Sequence, residues 1–169
     1  MLLRSELVLT YDGARVALDA ALRRAERVGG SFNIAVTDRA GALLAFARMD
    51  GSFAASGGIA QDKAWTVTAF GGLPTDGLYD AISAEDAVRE GIGQRGRVAA
   101  FGGGVPITVG GSWIGAVGVS GGSAAQDEDV ALAGAAAVVA AITGTPTVPG
   151  SHRTVIERTH HDAVHAASR

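Results

Sequence analysis

Residues 101–134, FGGGVPITVGGSWIGAVGVSGGSAAQDEDVALAG, constrain the chain most, because they read as two strands, a tight turn and the start of a helix. The runs 105–109 and 113–119 are rich in β-branched residues and flank Gly110-Gly111. Two glycines in succession take the positive φ that a two-residue hairpin turn demands. Gly118, Gly121 and Gly122 then leave backbone N–H groups uncovered by side chains. Such a stretch presents polar backbone to a ligand or to a neighbouring subunit.

The same grammar occurs upstream. Residues 32–38 and 42–49 are strand-like, with Asp38–Gly41 (DRAG) supplying the turn of another hairpin. Before it, residues 12–28 place Ala14, Ala17, Leu18, Ala21, Leu22, Ala25 and Val28 on one helical face, and Gly29-Gly30 ends the pattern. Between the hairpins, Ser56 is expected to cap a helix running to about Phe70, residues 73–78 to form a turn around Pro74 and Gly77, and Ser83 with Asp86 to box a short helix reaching Glu90. After the second hairpin, Asp127, Glu128 and Asp129 suit the positive end of a helix over 127–142. Two hairpins without βαβ crossovers predict an α+β fold: an antiparallel sheet with helices packed on it, profilin-like or PAS-like. We read residues 1–144 as one domain and residues 145–169, which hold Pro146, Pro149 and all four histidines, as a C-terminal arm, partly disordered.

Composition narrows the function. Hydrophobic residues make up 47% of the 169 and charged residues 18%, enough for one packed core. Aromatics are scarce and Ala, Val and Gly dominate, which favours close approach between elements and between subunits, so a homo-oligomer is expected. A net charge of −3 with scattered arginines offers no field for nucleic acid. Without cysteine there is no disulfide, thiolate nucleophile or Cys-based metal site. No run approaches the roughly 20 apolar residues of a membrane span, and the opening apolar stretch is short for a signal segment. The expectation is a soluble cytoplasmic protein with no nucleic-acid or membrane partner.

Four blocks, AVTDRAGALLAFARMDG (35–51), IAQDKAWTVTAFG (59–71), GGGVPI (102–107) and GAVGVSGGSAAQDEDVALAG (115–134), resemble the GlcG/HbpS family, which includes the C-terminal domain of PduO-type proteins. They stand in the family's order and cover roughly residues 12–142. The resemblance implies an α+β fold, assembly into dimers or higher oligomers, and a small-molecule role. Some members bind haem or are associated with its degradation, and others sit beside glycolate or corrinoid metabolism.

Several residues can carry chemistry. Lys63 is the only lysine against 13 arginines, and it shares a helical stripe with Ile59, Ala60, Ala64 and Val67, so it points inward. A buried ammonium needs a partner, and Asp50, Asp62 or Asp127 can supply it. The pair then either fixes structure or serves a substrate anion or catalysis. Arg48, Met49 and Asp50 end the second strand at a small-residue loop. There Arg48 and Asp50 either tie down the loop as an ion pair or hold a carboxylate and act as a base. Gly103 and Gly104 with Pro106, and Ser120 with Gly121, are candidates for backbone binding of an anion or carbonyl, or else glycines placed for tight packing. Gly118–Gly122 matches G-x-S-x-G formally, with Asp127 and His152 downstream, but lies in a hairpin rather than at a strand-to-helix elbow. His161 and His165 share the spacing of a helical face, beside His160 and Asp162, within a solvated arm, and no metal is assigned.

Two readings result. The first is a small-molecule-binding protein with haem or another tetrapyrrole as candidate ligand, contacted by Met49, Gly103, Gly104, Pro106, Ser120, Gly121 and Asp127. Axial haem donors in the body of the chain reduce to Met49, Tyr11 and Tyr79. The alternative is a cofactor-independent enzyme acting on a small oxygenated or carboxylated metabolite, with Lys63, Asp50 and Arg48 for acid–base and anion work.

Overall fold

A computed structural model describes residues 2–144; the arm at 145–169, with its histidines, lies outside the described residues. Helix α1 (Tyr11–Val28) precedes a hairpin of β1 (Asn33–Asp38) and β2 (Leu43–Arg48). Helices α2 (Ala54–Ala69), α3 (Thr75–Ile82) and α4 (Asp86–Gly93) follow, then the hairpin β3 (Gly104–Val109) and β4 (Ser112–Ser120), and finally α5 (Ala124–Gly144). This is the expected α+β arrangement.

The two hairpins join into one antiparallel sheet of order β2-β1-β4-β3, with β1 pairing β4 from Asn33↔Ser120 to Asp38↔Gly115. Side chains alternate across it. Ile34, Val36, Val105, Ile107, Val117 and Val119 face α1 and α5, forming the larger core with Ala14, Ala17, Ala21, Val130 and Val138. Ala35 and Ala116 face α2, where they meet Ala60, Ala64 and Val67. Because both faces of β1 are covered, all of Asn33–Thr37 is buried and the strand loses the polar alternation of a one-sided sheet.

The turns form as their residues require. Gly110 and Gly111 adopt φ of 57° and 79°, the two positive values of a hairpin turn. Asp38 Oδ1 accepts from the Ala40 and Ala42 amides at 2.8 and 2.9 Å, closing the first hairpin. Gly29, with φ 80°, ends α1 and donates its N–H to the Ala25 carbonyl.

Helix boundaries depart from the sequence reading in four places. Residues 73–78 are not a free turn: α3 begins directly after Pro74, held by the Thr75 hydroxyl, which donates to the Phe101 carbonyl at 2.7 Å and accepts from the Gly104 amide at 3.0 Å. Ser83 donates back to the Asp80 carbonyl instead of capping α4, whose N-cap is Glu85. Ser56 does not cap α2; the helix starts at Ala54, and Ser56 is buried in its first turn. Helix α5 starts at Ala124 rather than at Asp127, because Ser123 and Gln126 form a reciprocal box: the Gln126 amide donates to Ser123 Oγ and the Ser123 amide to Gln126 Oε1. No helix among the described residues is long and apolar enough to cross a membrane.

Helix α2 can lie this close to the sheet because Gly118 has no side chain. A Cβ there would meet the Ala60 carbonyl oxygen, and would stand 2.5 Å from the Ala64 amide nitrogen. Gly58, on the same helix, faces open space. Gly118→Ala is therefore expected to destabilise the fold by about 2 kcal/mol or more, while Gly58→Ala stabilises it by about 0.5–1 kcal/mol. Urea denaturation of both variants checks this, and equal effects would contradict the packing account.

Candidate functional site

Helix α2 carries Lys63 toward the sheet on the same stripe as Ala60, Ala64 and Val67. The side chain has no solvent exposure. Its ammonium donates to Asp127 Oδ2 at 2.8 Å and to the Val119 carbonyl at 2.9 Å. Asp127, in the first turn of α5, uses its other oxygen to accept from the Gly122 amide at 2.9 Å. The Phe101 ring centroid lies 4.6 Å from Lys63 Nζ, completing the shell with a cation–π contact.

The run Gly102–Gly104 makes room for this pair. Gly103 has φ 115°, and a Cβ on it would stand 2.6 Å from Asp127 Cβ and 2.7 Å from Lys63 Nζ. A Cβ on Gly104 would fall 2.5 Å from Thr75 Cγ2 and 2.9 Å from the Lys63 carbonyl oxygen. The Gly103 carbonyl, meanwhile, accepts from the Val119 amide at 2.8 Å and holds this segment to β4. These glycines fit the packing reading made from the sequence.

Phe101 also faces outward. With Asp76, Tyr79, Asp80 and Ala100 it lines an open groove of about 300 Å³. Phe101 and Tyr79 are each about half exposed. One ring therefore touches both the groove and the buried ammonium. Burial pushes the Lys63 amine below its ordinary range, while the hydrogen bond and charge of Asp127 oppose the drop.

The geometry now stands beside the relatives. The model of the family described as "Haem degrading protein HbpS-like" matches residues 9–136. The chain belongs to the HbpS-like family. It is 35% identical over 118 residues to Protein GlcG of Escherichia coli strain K12, covering 70% of this chain and 85% of that one. The crystal structure of Klebsiella pneumoniae protein ORFY superposes with a TM-score of 0.77 at 28% identity, over 83% of this chain and 97% of that one. The PduOC–haem complex superposes at 0.71 and 30% identity, over 78% and 95%.

Within this HbpS-like fold the structure groups some of the residues singled out from sequence and separates others. Of the three partners offered for Lys63, Asp127 is the one used. Asp62 pairs with Arg97 at 3.2 Å, and Asp50 is exposed in the turn after β2. Arg48 does not pair with Asp50: its Nη2 donates to the Ser52 carbonyl at 3.3 Å. Arg48 and Asp50 thus stand at the end of edge strand β2, whereas the polar partners of Lys63 come from β4 and α5. Met49 packs against the larger core. Pro106 lies half-buried in edge strand β3, and Gly121 packs on Ser31 and Phe32. Ser120 stands beside Asn33 in register, away from the groove. The sequence reading left out Phe101 and Thr75. Phe101 had one signal, an aromatic residue at the head of three glycines; Thr75 had none, since its role depends on where residues 101–104 return.

Removing one member of the pair leaves a buried charge unpaired. Lys63→Met is expected to destabilise the protein by about 3–5 kcal/mol, and adding Asp127→Leu to recover part of that loss; urea denaturation of both variants decides it, and a mild effect of the single change would refute the pairing. The lowered Lys63 pKa has a sign as well. The unfolded chain holds this proton more tightly, so stability rises with pH between the folded and unfolded midpoints. With a single lysine in the chain, ¹³Cε-lysine NMR should show one titrating signal, its midpoint lower in the folded than in the urea-unfolded protein.

Proposed function

We propose that the chain is a small-molecule-binding protein whose ligand seats against the Tyr79–Phe101 wall of the groove, with haem or another planar tetrapyrrole as the candidate. The observation that carries this reading is the groove itself: two half-exposed aromatic side chains, of which Phe101 is backed by the buried Lys63–Asp127 pair. An aromatic face held from behind suits a flat ligand, because it need not be ordered on binding. The relation to the PduOC–haem complex supports the same ligand class.

The donor chemistry fits haem through one side chain. Among the described residues, Tyr79 is the one that both lines this groove and belongs to the axial-ligand types, a phenolate oxygen donor. Phe101 offers a ring for stacking against the macrocycle. Asp76 and Asp80 share the lining and would orient anionic propionates away from themselves. Bound haem would supply an iron centre for electron or ligand exchange.

No observation favours the acid–base enzyme, since Lys63 is sealed and Arg48 and Asp50 lie elsewhere. We propose further that the protein works as a homo-oligomer. Edge strand β2 exposes Leu43 and Phe46, which supports pairing or packing between copies.

Haemin titration of the purified full chain is expected to shift the Soret band. Tyr79→Phe should change the band position and weaken binding at least tenfold, and Phe101→Ala should weaken it about 3–10-fold, the worth of an aromatic contact. An unshifted band, or a shift indifferent to both substitutions, would remove haem from this groove.

A further inference from the structure

On the sheet face covered by α1 and α5 lies a second groove, lined by other residues than the Tyr79–Phe101 wall. It encloses about 210 Å³ between Val8, Leu9, Val16, Ile114, Val138 and Ile142. The one polar side chain in its lining, Thr10, is already occupied, accepting from the Gly13 amide at the start of α1. Metabolite sites run to about 300–1,000 Å³ and carry polar groups that orient the ligand. This groove is smaller and lacks them, so it suits an aliphatic side chain.

Its walls are pinned. The Leu9 amide donates to the Ile114 carbonyl at 2.9 Å. The Leu9 side chain fills space that two glycines leave: a Cβ on Gly13 would stand 2.7 Å from Leu9 Cδ1, and one on Gly115 would stand 3.0 Å from Leu9 Cδ2. Leu9, Ile114 and Val138 are buried and make the floor, whereas Val8 and Ile142 on the rim are each about half exposed. An apolar side chain seated here would take that rim out of water.

Helix α5 ends at this rim. Ile142 stands two residues before Gly144, the last residue of the helix, and residues 145–169 continue from there, beginning Thr145-Pro146-Thr147-Val148-Pro149. Val148 is the first large aliphatic residue after the helix. At about 3.3–3.6 Å per residue, four residues beyond Gly144 reach back over the last turn of α5. We propose that residues 145–149 turn back across the end of α5 and seat Val148 between Val8, Ile114 and Ile142 of the same chain. A hydrophobic contact of this kind, from just past a helix end onto its last turn, is a common way for a helix to stop. Pro146 and Pro149 fix their own φ and restrict Thr145 and Val148 before them, so little backbone freedom remains to be lost on seating. The short tether also gives this valine an effective concentration in the millimolar range, which favours it over the arm of another copy.

The test uses the full 169-residue chain with ¹³C-labelled Ile, Leu and Val methyl groups. Nuclear Overhauser contacts are expected from the Val148 methyls to those of Val8, Ile114 and Ile142. Val148→Asn should abolish them, move the Ile114 and Ile142 signals and lower the melting temperature by about 2–6 °C. Val148→Leu should keep both the signal positions and the melting temperature near wild type. Val155→Asn and Ile156→Asn, further along the arm, should change neither. All these positions lie beyond α5, so the variants keep the core intact. Contacts seen only between labelled and unlabelled copies in a mixed sample would give the groove to a second chain and overturn the assignment. Contacts from Val155 or Ile156 in place of Val148, or none from the arm at all, would overturn it as well. The two grooves share no lining residue, so the haemin titration and this experiment can fail separately.

Discussion

The ammonium of Lys63 is where helix α2, strand β4 and helix α5 are tied together. It leaves α2, donates to the Val119 carbonyl on β4 and meets Asp127 at the start of α5, whose second oxygen takes the Gly122 amide. Four polar groups are satisfied at one buried point between the sheet, the helix on one face and the helix on the other. A buried pair of this kind adds little net stability against an apolar replacement, because desolvation offsets most of the attraction. What it adds is intolerance of alternatives: slide α2 along the sheet, or shift the start of α5, and an unpaired charge is left in the interior.

That constraint spreads into the small residues around it. Gly103 and Gly104 are bare because the pair and Thr75 occupy the space a Cβ would take, and Gly118 is bare because α2 lies on β4. The alanine stripe Ala14, Ala17, Ala21 and Ala25 plays the same part for α1, with Gly134 of α5 packed over the Ala17 carbonyl. A composition poor in aromatics is thus the consequence of elements packed at close range. Phe32 is the ring held in the core, while Phe101 and Tyr79 stay half exposed and line a groove.

Helix α2 consequently organises two distinct surfaces. Toward its middle, Lys63 fixes the segment carrying Phe101, and the groove inherits a stiff back wall. At its N-terminus, small residues and an uncapped first turn leave amides exposed above Asn33 and Arg48. The first surface is aromatic with an acidic lining, and the second is bordered by the exposed Arg48. Their chemistry differs because one is built from the loop returning to β3 and the other from the ends of β2 and β1.

The sequence by itself determined the local elements and the direction of Lys63. Periodicity placed α1, glycine pairs and DRAG placed both hairpins, and the α2 stripe turned the lysine inward, because these signals act over a few residues. It also set the family, through four blocks in order. Only tertiary structure decided the rest. Which of three aspartates pairs with Lys63, why residues 75–82 form a helix, and which aromatic covers the ammonium all depend on segments tens of residues apart returning to one place. The order β2-β1-β4-β3 belongs to the same class, since the joining of one hairpin to the other is written in no local pattern; it follows from β1 pairing β4 on the edge opposite β2, so that both its edges are hydrogen-bonded. Arg48 and Asp50 show the converse: adjacency suggested a pair, but the strand end turns Arg48 to the Ser52 carbonyl.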